Sequence, residues 1–416
     1  MKWQRKQIWL FLLSATFLFC LTAILWIIMN SQDSPLPDMS EFERQTKDVS
    51  DEDNAYYYFR KASECYVGLQ DNHMLIKIAA RTIYDANVVH EHLKNNKETL
   101  DFIDRGLSCS AYQGLWSSYD DDVHPHLAWG NVGHTLSLKA ISEVHEKHID
   151  LAFETCLDLL RFGLNVSEYP SYRGDCIIGV YIIKQAYHQI EYILRHFEIS
   201  PSLLVRLQSQ LESGALSRGL EAMLKTEFLR NTQAVDFMGP EKRYTFHPNR
   251  IKTMLANHYR CYIENIPRYY AELDLPSEGQ YKNELKDAKS WILWLSPNQE
   301  GKVLLAIAGL DYHSIVQCRY EAECYLIALQ LMIAHRQFVN RYDSFPPALQ
   351  SLVPEFLSEI PVDPYDGKPF RYLPKHGIAY SVGRDLKDTT ESDPPLEYVP
   401  VEDKGDWVYF VSKPEK

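Results

Sequence analysis

Residues 341–385 constrain this chain more than any other stretch, because their punctuation stops a helix and demands tight turns. Phe345-Pro346-Pro347 ends whatever helix precedes it, since proline lacks a backbone donor and pushes its predecessor out of the α region. Leu349, Leu352, Val353, Phe356 and Leu357 then have the spacing of a two-turn helix, or of one broken at Pro354. Residues 360–367 are dense in turn formers, and Asp366-Gly367 takes positive φ at low steric cost. Residues 369–373 and 378–382 read as two strands around a Lys375-His376-Gly377 turn, and 407–411 read as a third.

A helix predicted at 313–341 precedes these turns, with Ile315, Cys318, Ala322, Leu326, Leu329 and Ile333 on one stripe and Tyr325, Leu331, Met332 and Phe338 elsewhere on its surface. The order of helix, Phe345-Pro346 turn, Leu-rich loop at 349–353, the Pro361 to Tyr372 segment and the Tyr380-Ser381-Val382-Gly383-Arg384-Asp385 segment resembles the globular part of the major pseudopilins of type II secretion. That resemblance implies a small α+β module whose sheet lies on the long helix. It also implies calcium at the loop after the Tyr-Ser-x-Gly motif, with Asp385 and Asp388 as carboxylate ligands, as a hard cation requires. Leu386 stands where the family has Gly, and Thr389-Thr390 replace a Gly-rich run. The N-terminal apolar segment lies far upstream and lacks the family's Gly and Glu at a cleavage site, so assembly into a pseudopilus is not expected. The whole chain is also similar to a diffuse group of bacterial membrane-anchored helical proteins that carry such a tail, a likeness that implies architecture and no activity.

Residues 8–29 form an uncharged run behind Lys2, Arg5 and Lys6. The run is long enough to cross a bilayer as a helix, and the basic flank favours a cytoplasmic N-terminus. With no small-x-small site after it, a signal anchor is expected: a single pass through a bacterial inner membrane with the bulk of the chain periplasmic. The formal charge of −13 argues against nucleic acid as a partner. The expected partners are therefore the membrane, through residues 8–29, and envelope proteins. Of eight cysteines, Cys20 falls in this run and no pair has CxxC spacing, so zinc and thioredoxin-like readings lack support.

The expected organisation is a cytoplasmic N-terminus at 1–7, a transmembrane signal anchor at 8–29, a polar linker at 30–50, a helical ectodomain at 51–312 and a pseudopilin-like helix with a small sheet at 313–416. Helical spacing recurs at 54–69, 75–95, 97–106, 126–164, 176–197, 202–229 and 249–270. Gly106 and Gly163 read as helix ends, and 303–310 reads as core. The fold class is mainly α, an antiparallel helical array with a small C-terminal α+β module, preceded by one transmembrane helix.

Candidate chemistry is sparse. His145-Glu146-Lys147-His148 misses the HExxH metalloprotease spacing by one residue and reads as a charged helix face. His90 with His92, and His124 with His126 beside Asp120, Asp121 and Asp122, are candidate metal pairs better read as acidic surface. Tyr112, Trp116, Tyr119 and Trp129 cluster near a loop and are the candidate ligand groove, because Tyr and Trp combine an apolar body with a polar tip. No cofactor is implied beyond calcium. The reading is a membrane-anchored binding or structural protein of the cell envelope, linked to secretion or envelope assembly. The alternative is an envelope hydrolase with a carboxylate or metal site in the 117–146 region.

Overall fold

The computed structural model describes residues 2–30, 33–43, 49–68, 72–114, 126–168, 173–211, 215–238, 246–275, 298–391 and 405–411. Among them are twelve α-helices and one three-stranded sheet. The helices are α1 (Lys2–Asn30), α2 (Ala55–Glu64), α3 (Asn72–Ala79), α4 (Ala86–Asn95), α5 (Lys97–Ser108), α6 (His126–His145), α7 (Ile149–Glu168), α8 (Arg173–His196), α9 (Pro201–Leu211), α10 (Ala215–Phe237), α11 (Pro248–Asn265) and α12 (Gln299–Tyr342). The strands β1 (Arg371–Leu373), β2 (Ile378–Ser381) and β3 (Trp407–Phe410) form an antiparallel meander. The chain is thus mainly helical with a small sheet near its C-terminus, as expected.

The helices are more finely divided than apolar spacing implied. The stretch expected at 126–164 is two helices, α6 and α7, parted where Lys147 takes φ 66°. The one expected at 75–95 is parted near Arg81, at φ 56°, and the one expected at 202–229 is parted between Leu211 and Ala215. A positive-φ residue ends a helix without disturbing the side-chain period on either side, so periodicity alone misses it. Gly163 and Gly106, expected as helix ends, lie inside α7 and α5. At Gly163 the reason is close approach: a Cβ there would sit 3.1 Å from the carbonyl oxygen of Gly179 in α8, and one at Gly179 would sit 2.2 Å from Ser167 Oγ. Two small residues face each other and let the backbones meet.

The chain forms two compact units. One comprises residues 1–43, 228–262 and 275–313. Here the described part of the segment expected as a polar linker is tied down. Asp33 accepts the backbone N–H groups of Asn249 (2.8 Å) and Arg250 (3.1 Å), satisfying donors that the start of α11 leaves open. Phe42 is fully buried and stacks on Phe228 at 3.9 Å. Among the described residues no helix is long and apolar enough to cross a membrane, so the anchor expected at 8–29 finds no support there. That stretch lies within α1, and Trp9, Leu13, Phe17, Leu18 and Phe19 are exposed on it.

The other unit comprises residues 44–227, 263–274 and 314–416. Its centre is α7, packed on α8 and α6, with α2, α3 and α4 against α6 and α9 against α7. Asn54 opens α2: its Oδ1 accepts from Tyr56 N (3.1 Å) and Gln113 N (2.9 Å), and its Nδ2 donates to Gln113 O (2.9 Å). One side chain thereby caps a helix and pins the strand-like segment beside it. All eight cysteines are free thiols. Burial pushes the Cys176 thiol up to about 12 and that of Cys318 up to about 11, as for small hydrophobic fillers.

Residues 315–342 of α12 lie in this unit and are covered from two sides. Ile315, Ala322, Leu329 and Ile333 are buried, and so are Tyr325, Leu331 and Met332. The Tyr325 ring lies 4.9 Å from Tyr187 of α8 and 5.7 Å from Trp407 of β3. The helix is therefore packed against both the array and the sheet. Most side chains expected as core at 303–310 lie outside the described residues.

Candidate functional site

The loop resembling the calcium-binding loop is built around a cation of the protein's own. Arg371, on β1, donates to three carboxylates: Nη1 to Asp363 (2.9 Å), Nη2 to Asp366 (2.6 Å) and Nε to Asp388 (3.2 Å). The order of the chain makes this possible. The Asp363 to Gly367 turn closes through Gly367 N to Asp363 O at 2.9 Å, with Gly367 at φ 74°, and folds two carboxylates back over the strand that follows. Asp363 is wholly buried and also accepts from Tyr365 N (2.9 Å), Ser381 Oγ (2.8 Å) and Val382 N (3.0 Å). Burial pushes its carboxyl above the usual range, and these hydrogen bonds oppose that. The Asp366 carboxyl is held below its usual range: burial alone would raise it, and the bonds from Arg371 and Lys368 N outweigh that.

Asp388 and Asp385, the expected calcium ligands, face different partners. Asp388 Oδ1 accepts from the Tyr380 hydroxyl (3.0 Å) and its Oδ2 from Arg371, whereas Asp385 is exposed and accepts from Lys387 N at 3.1 Å. Leu386 keeps positive φ, 58°, at the place where the resembled family has glycine. Asp406 closes the loop by accepting from Thr389 N (2.9 Å), Thr389 Oγ1 (3.0 Å) and Thr390 N. Among the described residues no group of three His, Cys, Asp or Glu is placed to hold a metal ion.

Of the expected aromatic groove, Trp116 and Tyr119 lie outside the described residues. Tyr112 and Trp129 are core: Trp129 is fully buried, and Tyr56 sets its ring edge-on to both, at 5.9 and 5.7 Å. Two of the four therefore line no groove, because helix packing took them inward. The hydrolase region fares similarly. His145 stacks on Tyr84 at 3.6 Å, and Glu146 and His148 are exposed. Glu143 is buried and accepts from Thr155 Oγ1 at 2.7 Å. His92 is buried against Thr135 Oγ1 (3.0 Å) while its supposed partner His90 is exposed. Residues 115–125, with His124 and the three aspartates, lie outside the described residues.

Sequence reasoning missed a cleft where α8, α12 and β3 meet. Leu194, Arg195, Met332, His335, Arg336, Val339, Phe345 and Val411 line a small cleft of about 100 Å³. His335 is buried, and its Nε2 lies 2.8 Å from the Tyr372 hydroxyl, which donates to Pro346 O (3.2 Å). A hydroxyl has one proton, so Nε2 carries the imidazole proton and Nδ1 is an acceptor. Burial pulls His335 down to about 4, so it is neutral at pH 7. Arg195 pairs with the buried Glu191 at 3.5 Å. Arg336 donates to Phe197 O (2.6 Å) and pairs with Glu198 (3.2 Å), whose side chain is 74% exposed. The available signal was His335-Arg336, a polar pair interrupting the apolar surface of α12. Compared with models of protein families, with curated proteins and with solved structures, the chain has no significant match.

Proposed function

We propose that this chain is a membrane-anchored, non-enzymatic binding or structural protein of the bacterial cell envelope, with its N-terminus cytoplasmic and the rest periplasmic. The observation that carries this reading is the two-sided burial of α12: Tyr325 lies between Tyr187 of the array and Trp407 of the tail, so the tail is held as a fixed platform. A part that must present a surface to a partner gains from such rigidity, because less freedom is lost on binding. The anchor is proposed from the uncharged run at 8–29, and the exposed apolar side chains of α1 would be stable in lipid. Lys2, Arg5 and Lys6 support its orientation. The resemblance of the tail to pseudopilins supports secretion or envelope assembly as its setting. In that setting Arg371 fills the role of the loop's cation.

The test has two parts. A reporter fused after Lys416 should be active only if it works outside the cytoplasm; a cytoplasmic signal overturns the topology. Cross-linking in intact membranes, followed by purification, should recover discrete envelope-protein adducts on the tail; recovery of the monomer alone overturns the binding role.

A further inference from the structure

We propose that the end of α10 and the segment after α1 form a lipid-facing patch, through which Leu36, Phe237 and Met238 enter the interface of the bilayer that α1 spans. This extends the anchor proposed above and rests on it. The three side chains are 61%, 74% and 52% exposed. Their place is set by a series of bonds within one compact unit. Asn30 ends α1, and Asp33 follows three residues later, so the two are at most about 11 Å apart. Asp33 accepts from Asn249 N (2.8 Å) and Arg250 N (3.1 Å), and Asn249 Nδ2 donates to Ser34 O (2.7 Å). The start of α11 is therefore held beside the exit of α1. A little further along α11, Lys252 Nζ donates to Asp236 at 2.6 Å and draws the last turn of α10 to the same place. Phe237 and Met238 come next, and Met238 N still donates to Ala234 O at 3.1 Å, so the helical backbone carries both. Leu36 follows Ser34 closely, between Pro35 and Pro37, which restrict the chain on either side. Each of the three apolar residues thus lies within two positions of a group bonded to the first turns of α11. Immersion in the acyl boundary removes their surface from water, as for other interfacial segments. The bilayer is the occupant because α1 keeps it continuously within reach, whereas a soluble partner would have to be recruited.

The test uses the full-length protein in vesicles of phosphatidylcholine and phosphatidylglycerol. A small fluorescent amino acid replaces Phe17, Phe237 or Glu43, one at a time, and the readout is quenching by the same lipids brominated on the acyl chain. Phe17 lies within α1 and reads the anchor alone. Glu43 is an exposed control in the same unit. It stands two residues beyond Glu41, whose partner Arg260 is about 16 Å along α11 from Asn249. Loss of about half the emission or more is expected at positions 17 and 237, with little loss at 43. Thermal unfolding shows whether each variant folds, and Met238 is the second labelling position if a label at Phe237 disturbs the fold. If position 17 is quenched while 237 and 238 are not, the patch is refuted and the anchor stands. Equal quenching at 43 and 237 also refutes the patch. If position 17 escapes quenching, the anchor fails and this inference fails with it.

Discussion

The guanidinium of Arg371 meets the carboxylate of Asp363 over 2.9 Å, with the Asp363 side chain wholly out of water. Replacing Arg371 by Ala strands that carboxylate. The expected loss is about 3 kcal/mol, because removing one partner of a buried pair leaves an uncompensated charge. Asp388→Ala should cost less, since its side chain is a third exposed. Thermal unfolding checks both. With an internal cation at the centre of the loop, chelation by EDTA should leave the wild-type midpoint unchanged; a downward shift that added calcium reverses in the wild type and not in Asp388→Ala would show that the loop holds calcium as well.

Gly179 and Gly130 make a contrasting pair. A Cβ at Gly179 meets Ser167 Oγ at 2.2 Å and Ser167 N at 2.8 Å, so Gly179→Ala should destabilise by about 2 kcal/mol through forced separation of α7 and α8. Nothing lies within 4 Å of the corresponding position at Gly130, in α6. Gly130→Ala should be neutral or stabilise by up to about 1 kcal/mol from helix propensity alone. Equal effects in chemical denaturation would refute the close crossing.

Leu329 is fully buried in α12. Leu329→Asp should lower stability by several kcal/mol, on the order of the penalty for an unpaired buried carboxylate. Limited proteolysis should then cut the array and the tail together. Release of an intact tail from a folded array would mean the helix is a free connector.

Acid should weaken the fold through buried histidines. Burial pulls His134 and His335 to about 4, whereas the unfolded chain titrates near 6.5. Between those values the unfolded state binds more protons, so their stabilisation is complete above pH 6.5 and fades as pH falls towards 4. Buried carboxyls raised above their usual range, such as Asp363 and Glu143, act in the opposite sense, favouring the fold once protonated. His335→Gln can keep the donor to Tyr372 and lose the titration, so its stability should fall less steeply over that window; an unchanged slope would place the effect elsewhere.

The tail was the most readable part of the sequence because turn chemistry is local. Gly367 and Gly377 take the positive φ that their positions demanded, and the three strands fall where alternation and punctuation placed them. The array was readable as helix but not in its joints, since Lys147 and Arg81 turn the backbone without any residue that favours the turn. Aromatic content misled at Tyr112 and Trp129, whose polar tips gave no sign that their rings face the core. The Arg371 cluster and the cleft were hidden for a different reason. Both depend on side chains brought together from separate elements, and a single sequence carries no record of such pairings.

The close packing of Tyr187 against Tyr409, with ring centroids 5.8 Å apart, also sets a timetable. The two residues lie some two hundred positions apart, and the later one is almost the last described residue of the chain. Helices synthesised early must hold an unfinished surface until β3 has been made, because β3 supplies part of what covers α8. Local helices form quickly, but this closure is long-range and must be the late step. A chain exported before folding would reach its destination with that surface bare, and the arrival of β3, rather than the first helix, is what covers it.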